Sequence, residues 1–214
     1  MSVDWTWACV GLTLAVLALY EAMLVLLHRS NRLAPARHAG LREEWFRVVS
    51  AQKGSEVLAV QTLRNSLMSA TMLASTAALA LMGTVTLAAP SLHESLAAAR
   101  GVASLSPRLV LELVLLSLLF ASLVSSMMAV RFYNHAGFIG GMPVESEARA
   151  RWTGAGVRYV RRAGVLYGVG LRQLVLVAPV VSALLLPASG PVAALLVAAV
   201  LYSLDRFSEE GKEG

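Results

Sequence analysis

The sequence predicts an all-α, polytopic membrane helical bundle, with about five transmembrane helices and two amphipathic cytoplasmic helices. Three observations predict it. Of 214 residues, 57% are hydrophobic and 14% charged, against about 45–50% and about 25% in soluble domains. The apolar residues fall in runs near the ~20 residues that cross a bilayer. The arginines gather in two of the segments between those runs. This composition excludes a disordered chain, a nucleic-acid-binding domain, a disulfide scaffold and an ordinary cytosolic enzyme. The chain reads as a single integral membrane domain over residues 1–214.

The first span is expected at residues 5–27, with Trp5, Trp7 and Tyr20 as interfacial anchors. The start Met1-Ser2-Val3-Asp4 has no basic n-region, and the apolar run after it is long for a signal peptide. It is therefore read as a retained helix. The second span, 66–89, is rich in Ala, Ser, Thr and Leu. The third is 109–130 and the fourth 165–186. The turn Pro187-Ala188-Ser189-Gly190-Pro191 reads as a tight hairpin. After it, 192–204 is a short apolar run rising only about 20 Å. It either crosses with added residues at its ends or re-enters. A crossing is favoured, because the termini then make a consistent topology.

Charge orients the spans. Arg29, Arg32, Arg37, Arg42, Arg47, Lys53 and Arg64 lie in 28–65, and Arg131, Arg149, Arg151, Arg158, Arg161 and Arg162 in 131–164. The segment 90–108 holds only Arg100 and Arg108, and 187–191 holds no basic residue. Basic residues flank spans on the cytoplasmic side. The two long segments are therefore cytoplasmic, the N-terminus outside and the C-terminus inside, in a bacterial inner (plasma) membrane. An odd number of spans is required. The net charge of +5 follows from this asymmetry without nucleic acid as a partner.

Residues 41–64 alternate apolar and charged positions with helical spacing and run into the second span. The stretch 144–164 is similar, with Trp152, Tyr159 and Val160 among arginines. Such helices lie on an anionic leaflet or dock on each other. Anionic lipids at the cytoplasmic face and a homo-oligomer are the expected partners.

An ionisable group within a span costs roughly 2.5–3.5 kcal/mol at the helix centre, so each is a candidate site. Glu21, Arg172 with neighbouring Gln173, and Asp205 lie toward the cytoplasmic side. Arg172 is expected to pair with Glu21 or Asp205, as a structural lock or a functional group. Glu112 lies at the other end and is expected to reach outer headgroups. Two further patterns stand at cytoplasmic helix ends. Gln61, Arg64 and Asn65 share one helix face at i, i+3 and i+4, as do Arg131, Asn134 and His135. They form either one hydrogen-bonded constellation suited to an anion or two sets of interfacial caps. Thr62, Ser69 and Thr76 continue the first face into span two. They suit a narrow hydrophilic lining or close helix packing.

Enzyme chemistry is not expected. The histidines at 28, 38, 93 and 135 have no metal-site spacing, and the single cysteine, Cys9, sits in an apolar run. There is no nucleophile elbow, P-loop or dinucleotide fingerprint. No catalytic residue, metal or cofactor is assigned.

The run Ala59-Val60-Gln61-Thr62-Leu63-Arg64-Asn65-Ser66-Leu67-Met68, with Leu73-Ala74-Ser75-Thr76 after it, resembles a bacterial and plant membrane family known as domain of unknown function 599. So does Arg131-Phe132-Tyr133-Asn134-His135-Ala136-Gly137-Phe138. The resemblance covers roughly 21–204. It implies a multi-pass membrane protein and transfers no activity. The leading functional expectation is a non-enzymatic channel or transporter-like protein whose polar cluster faces an anion. The alternative is a membrane scaffold that binds anionic lipid or a partner subunit through its arginine-rich helices.

Overall fold

The computed structural model describes residues 3–29, 34–98 and 106–207. They form seven helices and no strand. The helices are α1 (Val3–Arg29), α2 (Ala34–Ala51), α3 (Glu56–Ala98), α4 (Pro107–Gly140), α5 (Glu147–Val175), α6 (Val177–Leu185) and α7 (Ser189–Phe207). The protein is an all-α helical bundle. Leu19, Met72, Leu79, Leu87 and Leu185 are each about 70% exposed or more. Apolar surface on that scale needs lipid around it.

Four helical stretches are long and apolar enough to cross a membrane: Asp4–Leu26, Glu56–Ser91, Pro107–Gly140 and Glu147–Leu185. The fifth apolar helix, Ser189–Leu204, is shorter. Four stretches thus meet the length and apolarity of a span, where the sequence predicts about five. Helix α7 is nevertheless 19 residues long, and it gains its length at both ends of 192–204. At 1.5 Å per residue it rises about 28 Å.

Two boundaries differ from the sequence reading. The amphipathic pattern over 41–64 is two helices rather than one. It breaks at Gly54, whose φ of 84° is left-handed and suits glycine. Ser55 braces that turn by donating to the carbonyls of Val49 and Gln52, each at 2.6 Å. Span four is interrupted at Leu176, between α5 and α6. Pro179 explains the break, because it cannot donate to the carbonyl one turn back.

The chain divides into two compact units. The first comprises Met1–Arg32, Ala77–Ala121 and Arg172–Gly214. Within it α1, α6 and α7 pack together. Val10, Thr13 and Leu17 of α1, Val180 and Ala183 of α6 and Ala194 of α7 are buried. Gly190 lets α7 begin against Thr13 and Ala183, where a Cβ would collide with both.

The second unit comprises Leu33–Thr76 and Ser122–Leu171. Its core is built on Phe46, fully buried, with Leu63, Tyr133, Ile139, Val157 and Val160 around it. Small residues set the spacing, as is usual between membrane helices. Ala59, Ala70, Ala129, Ala136 and Ala163 are all fully buried. At Gly156 a Cβ would stand 2.5 Å from the Phe46 ring, so the ring lies directly on the α5 backbone.

Candidate functional site

The two predicted polar faces lie in the second unit, and both point outward. Gln61, Arg64 and Asn65 on α3 are exposed, as are Arg131, Asn134 and His135 on α4. Among the described residues no hydrogen bond or ion pair joins the two sets. They are brought to the same unit but not into one constellation. The buried side of α3 is instead the row Ala59, Leu63, Ala70 and Ala74, with Leu73 and Ala77 beside it.

Thr62, Ser69 and Thr76 are exposed too. Ser69 donates to the carbonyl of Asn65 at 3.1 Å, and Thr76 to that of Met72 at 2.9 Å. The Ser69 and Thr76 hydroxyls are therefore satisfied within α3 itself.

On α4 and α5 the exposed polar groups are interleaved with rings. Phe132 stacks on Tyr159 with centroids 5.7 Å apart. His135 tilts against the same Tyr159 ring at 5.5 Å. Arg162 lies over Phe132 at 6.0 Å, at the limit of cation–π range. His135 is thus held by a ring rather than by the neighbouring amide. The result is an aromatic ledge with Arg162 over it, and with Arg131 and Arg158, the chain neighbours of Phe132 and Tyr159, also exposed. Arg161 is drawn aside to Glu43 at 3.3 Å, and Arg47 shares that acid at 3.7 Å.

The intramembrane charges have definite neighbours in the first unit. Gln173 donates its amide to Glu21 at 2.8 Å. Arg172 is half-buried and engaged. The side chain of Asp205 lies outside the described residues. Glu112 departs from its predicted role. It is only 4% exposed, accepts from Arg108 at 2.9 Å and from the Ser91 hydroxyl. It does not reach toward headgroups because α3 supplies a partner at its own depth.

The charge that the sequence reading passes over is Arg149. Its pattern matches every other arginine of 131–164, yet it is 1% exposed. Its guanidinium donates to the Ile139 carbonyl, to that of Met142 at 3.4 Å and to the Ser50 hydroxyl at 3.2 Å. It also lies 5.8 Å from the Phe46 ring centroid. The last carbonyls of a helix have no partner within it, and a cation there also complements the helix dipole. Arg149 therefore closes the end of α4 and ties it to α2. A nearby brace comes from Glu56, which accepts the Val144 amide at 3.2 Å. No residue pattern marked this role, because two of its three acceptors are backbone carbonyls.

Among the described residues no group of three or more His, Cys, Asp or Glu side chains is placed to hold a metal ion. The arrangement can offer guanidinium forks, aromatic faces and amides to an anion from outside the fold.

The model of the family described as "Protein of unknown function, DUF599" matches residues 8–210. The chain belongs to this family. The match reaches all seven helices described above, the arginine-rich ones included. No curated protein and no solved structure matches the chain.

Proposed function

We propose that this integral membrane protein works without catalysis, as a scaffold or interaction protein that holds anionic lipid headgroups on its arginine-rich helices. The observation that carries the reading is the exposed Arg162 over the Phe132–Tyr159–His135 rings, with exposed Arg131 and Arg158 next in the chain to Phe132 and Tyr159. Exposed guanidinium groups beside amphipathic rings suit the headgroup layer, where each basic residue is worth about 1 kcal/mol toward an anionic surface. On this reading the ledge faces the cytoplasmic side of a bacterial inner membrane, with the N-terminus outside and α7 crossing, and the positive-inside bias supports that orientation.

The test is quenching of tryptophan fluorescence in full-length protein by brominated lipids. Brominated phosphatidylglycerol should compete with the zwitterionic lipid several-fold better than brominated phosphatidylcholine, and salt should weaken the preference. The combined variant Arg131→Gln, Arg158→Gln, Arg162→Gln should lose it. Equal quenching by both lipids, or an unaltered preference in the variant, rejects the reading.

A second reading, a channel or transporter-like oligomer, draws support from Ser69 and Thr76. These hydroxyls sit exposed on an apolar helix, on a face available to a second copy. Cysteine placed at Ser69 should then react with aqueous thiol reagents. Complete protection removes the pore.

A further inference from the structure

The second unit contains a cavity of about 300 Å³ lined by α2, α3, α4 and α5. We infer that it is a binding site for one anionic phospholipid, with the phosphodiester on Arg42 and the start of the acyl chains against Trp45 and Leu63. The inference deepens the lipid-binding function proposed above, and rests on it. It replaces a diffuse surface preference with a single stoichiometric site.

The sign of the ligand follows from the lining. Arg42 is the one ionised side chain on the cavity wall, and no acid is among the lining residues. Arg42 forms no ion pair among the described residues. The nearest acid in sequence, Glu43, is already shared by Arg47 and Arg161. A half-buried guanidinium without a carboxylate is a site for an external anion, and its planar fork fits two phosphate oxygens.

The position of that guanidinium is fixed by packing. The Arg42 side chain passes over Gly164 in α5, where a Cβ would collide with Nη1. Tyr133 and Ser66 stand on the wall of the same cavity, and Ser66 donates its hydroxyl to the Thr62 carbonyl at 3.2 Å. Thr62 adds a further hydroxyl to the same wall. The remaining surface is mostly apolar, which a free phosphate would not use and an acyl chain would. The depth also fits. Thr62, Ser66 and Tyr133 stand where the arginines Arg64 and Arg131 meet the apolar stretches of α3 and α4, the level of a headgroup.

Native mass spectrometry of delipidated full-length protein tests the site. Added phosphatidylglycerol should give one retained lipid per chain, while phosphatidylcholine of the same acyl chains should not. Arg42→Gln should weaken that single adduct roughly tenfold to a hundredfold, as expected for losing a charged hydrogen-bonding partner. Trp45→Ala should weaken it through the apolar end. The ledge variant at Arg131, Arg158 and Arg162 should keep the adduct while losing general anionic preference, so failure of one proposal is distinguishable from failure of the other. Should Arg42→Gln unfold, Arg42→Lys serves instead, since it keeps the charge and loses the fork. Equal retention of the two lipids, or an undiminished adduct in the Arg42 variant that folds, overturns the site. Protection against thermal unfolding by inorganic phosphate alone, equal to that by the lipid, overturns the lipid and leaves a soluble anion.

Discussion

The Arg149 guanidinium donates to the carbonyl of Ile139, so the start of α5 closes the end of α4. The charge is buried, and its three acceptors come from Ile139, Met142 and Ser50. Hydrogen bonds from a charged group contribute about 1.5–3 kcal/mol each when the partner would otherwise be left dry. Replacing Arg149 by Met removes the donors but keeps the bulk. The expected result is a loss of roughly 5–10 °C in the thermal midpoint in detergent. Arg149→Lys should recover little, because one ammonium cannot fork across acceptors on two helices. A wild-type midpoint in both variants would show that the clamp carries no stability.

Gly156 and Phe46 make a second testable pair. A methyl at 156 would stand 2.5 Å from the ring, and the ring is fully enclosed. Overpacking of this kind costs about 1–3 kcal/mol. Gly156→Ala should therefore lower the midpoint. Phe46→Leu, a smaller side chain, should lower it on its own by leaving a void. Together the two changes should destabilise less than the sum of the singles, since each relieves the other. Strict additivity would mean that the ring and glycine do not meet.

How much of this was legible follows from what a membrane sequence encodes. The apolar runs that place α1, α3 and α4 are read directly, because length and hydropathy suffice. The faces are not. In lipid, both the packed side and the lipid side of a helix are apolar, so spacing alone does not say which one meets a neighbour. Gln61, Arg64 and Asn65 share a face as their spacing requires, but that face turns away from the core formed by Ala59, Leu63 and Ala70. Arg149 is hidden for a different reason. Its acceptors are backbone carbonyls and one serine, and no residue pattern marks which carbonyl a side chain will meet. Gly54 and Pro179 did carry local signals, a left-handed turn and a missing donor. The amphipathic and apolar patterns continue across both and mask the breaks.

Ser122 and Ser126 sit one turn apart on α4, and both are fully buried. Ser122 donates to the Gly170 carbonyl at 2.7 Å. The Ser126 hydroxyl has no hydrogen-bond partner, although it would stand 2.6 Å from a Cβ on Gly170. The two alanine variants should therefore diverge. Ser122→Ala should destabilise by about 1 kcal/mol, because it deletes a buried bond between helices. Ser126→Ala should be neutral or stabilising, because it removes a desolvated hydroxyl that gains nothing. Chemical unfolding in mixed micelles reads the difference. Equal losses would mean that the Ser126 hydroxyl has a partner of its own.

Glu112 tests the asymmetry of a half-exposed ion pair. The carboxylate side is 5% exposed while the Arg108 side chain is 75% exposed. Removing the arginine leaves a buried carboxylate that still accepts from Ser91. The Arg108 end of the pair is exposed to solvent screening and glutamine keeps an amide donor for the carboxylate, so Arg108→Gln should shift stability little. Ser91→Ala should matter more, because it strips a donor from the buried end. Glu112→Leu should then be tolerated best in a Ser91→Ala background, where no hydroxyl is left facing an apolar replacement. A larger loss from Arg108→Gln than from Ser91→Ala, measured by thermal unfolding, would show that the ion pair rather than the buried hydrogen bond holds this end of α3 and α4.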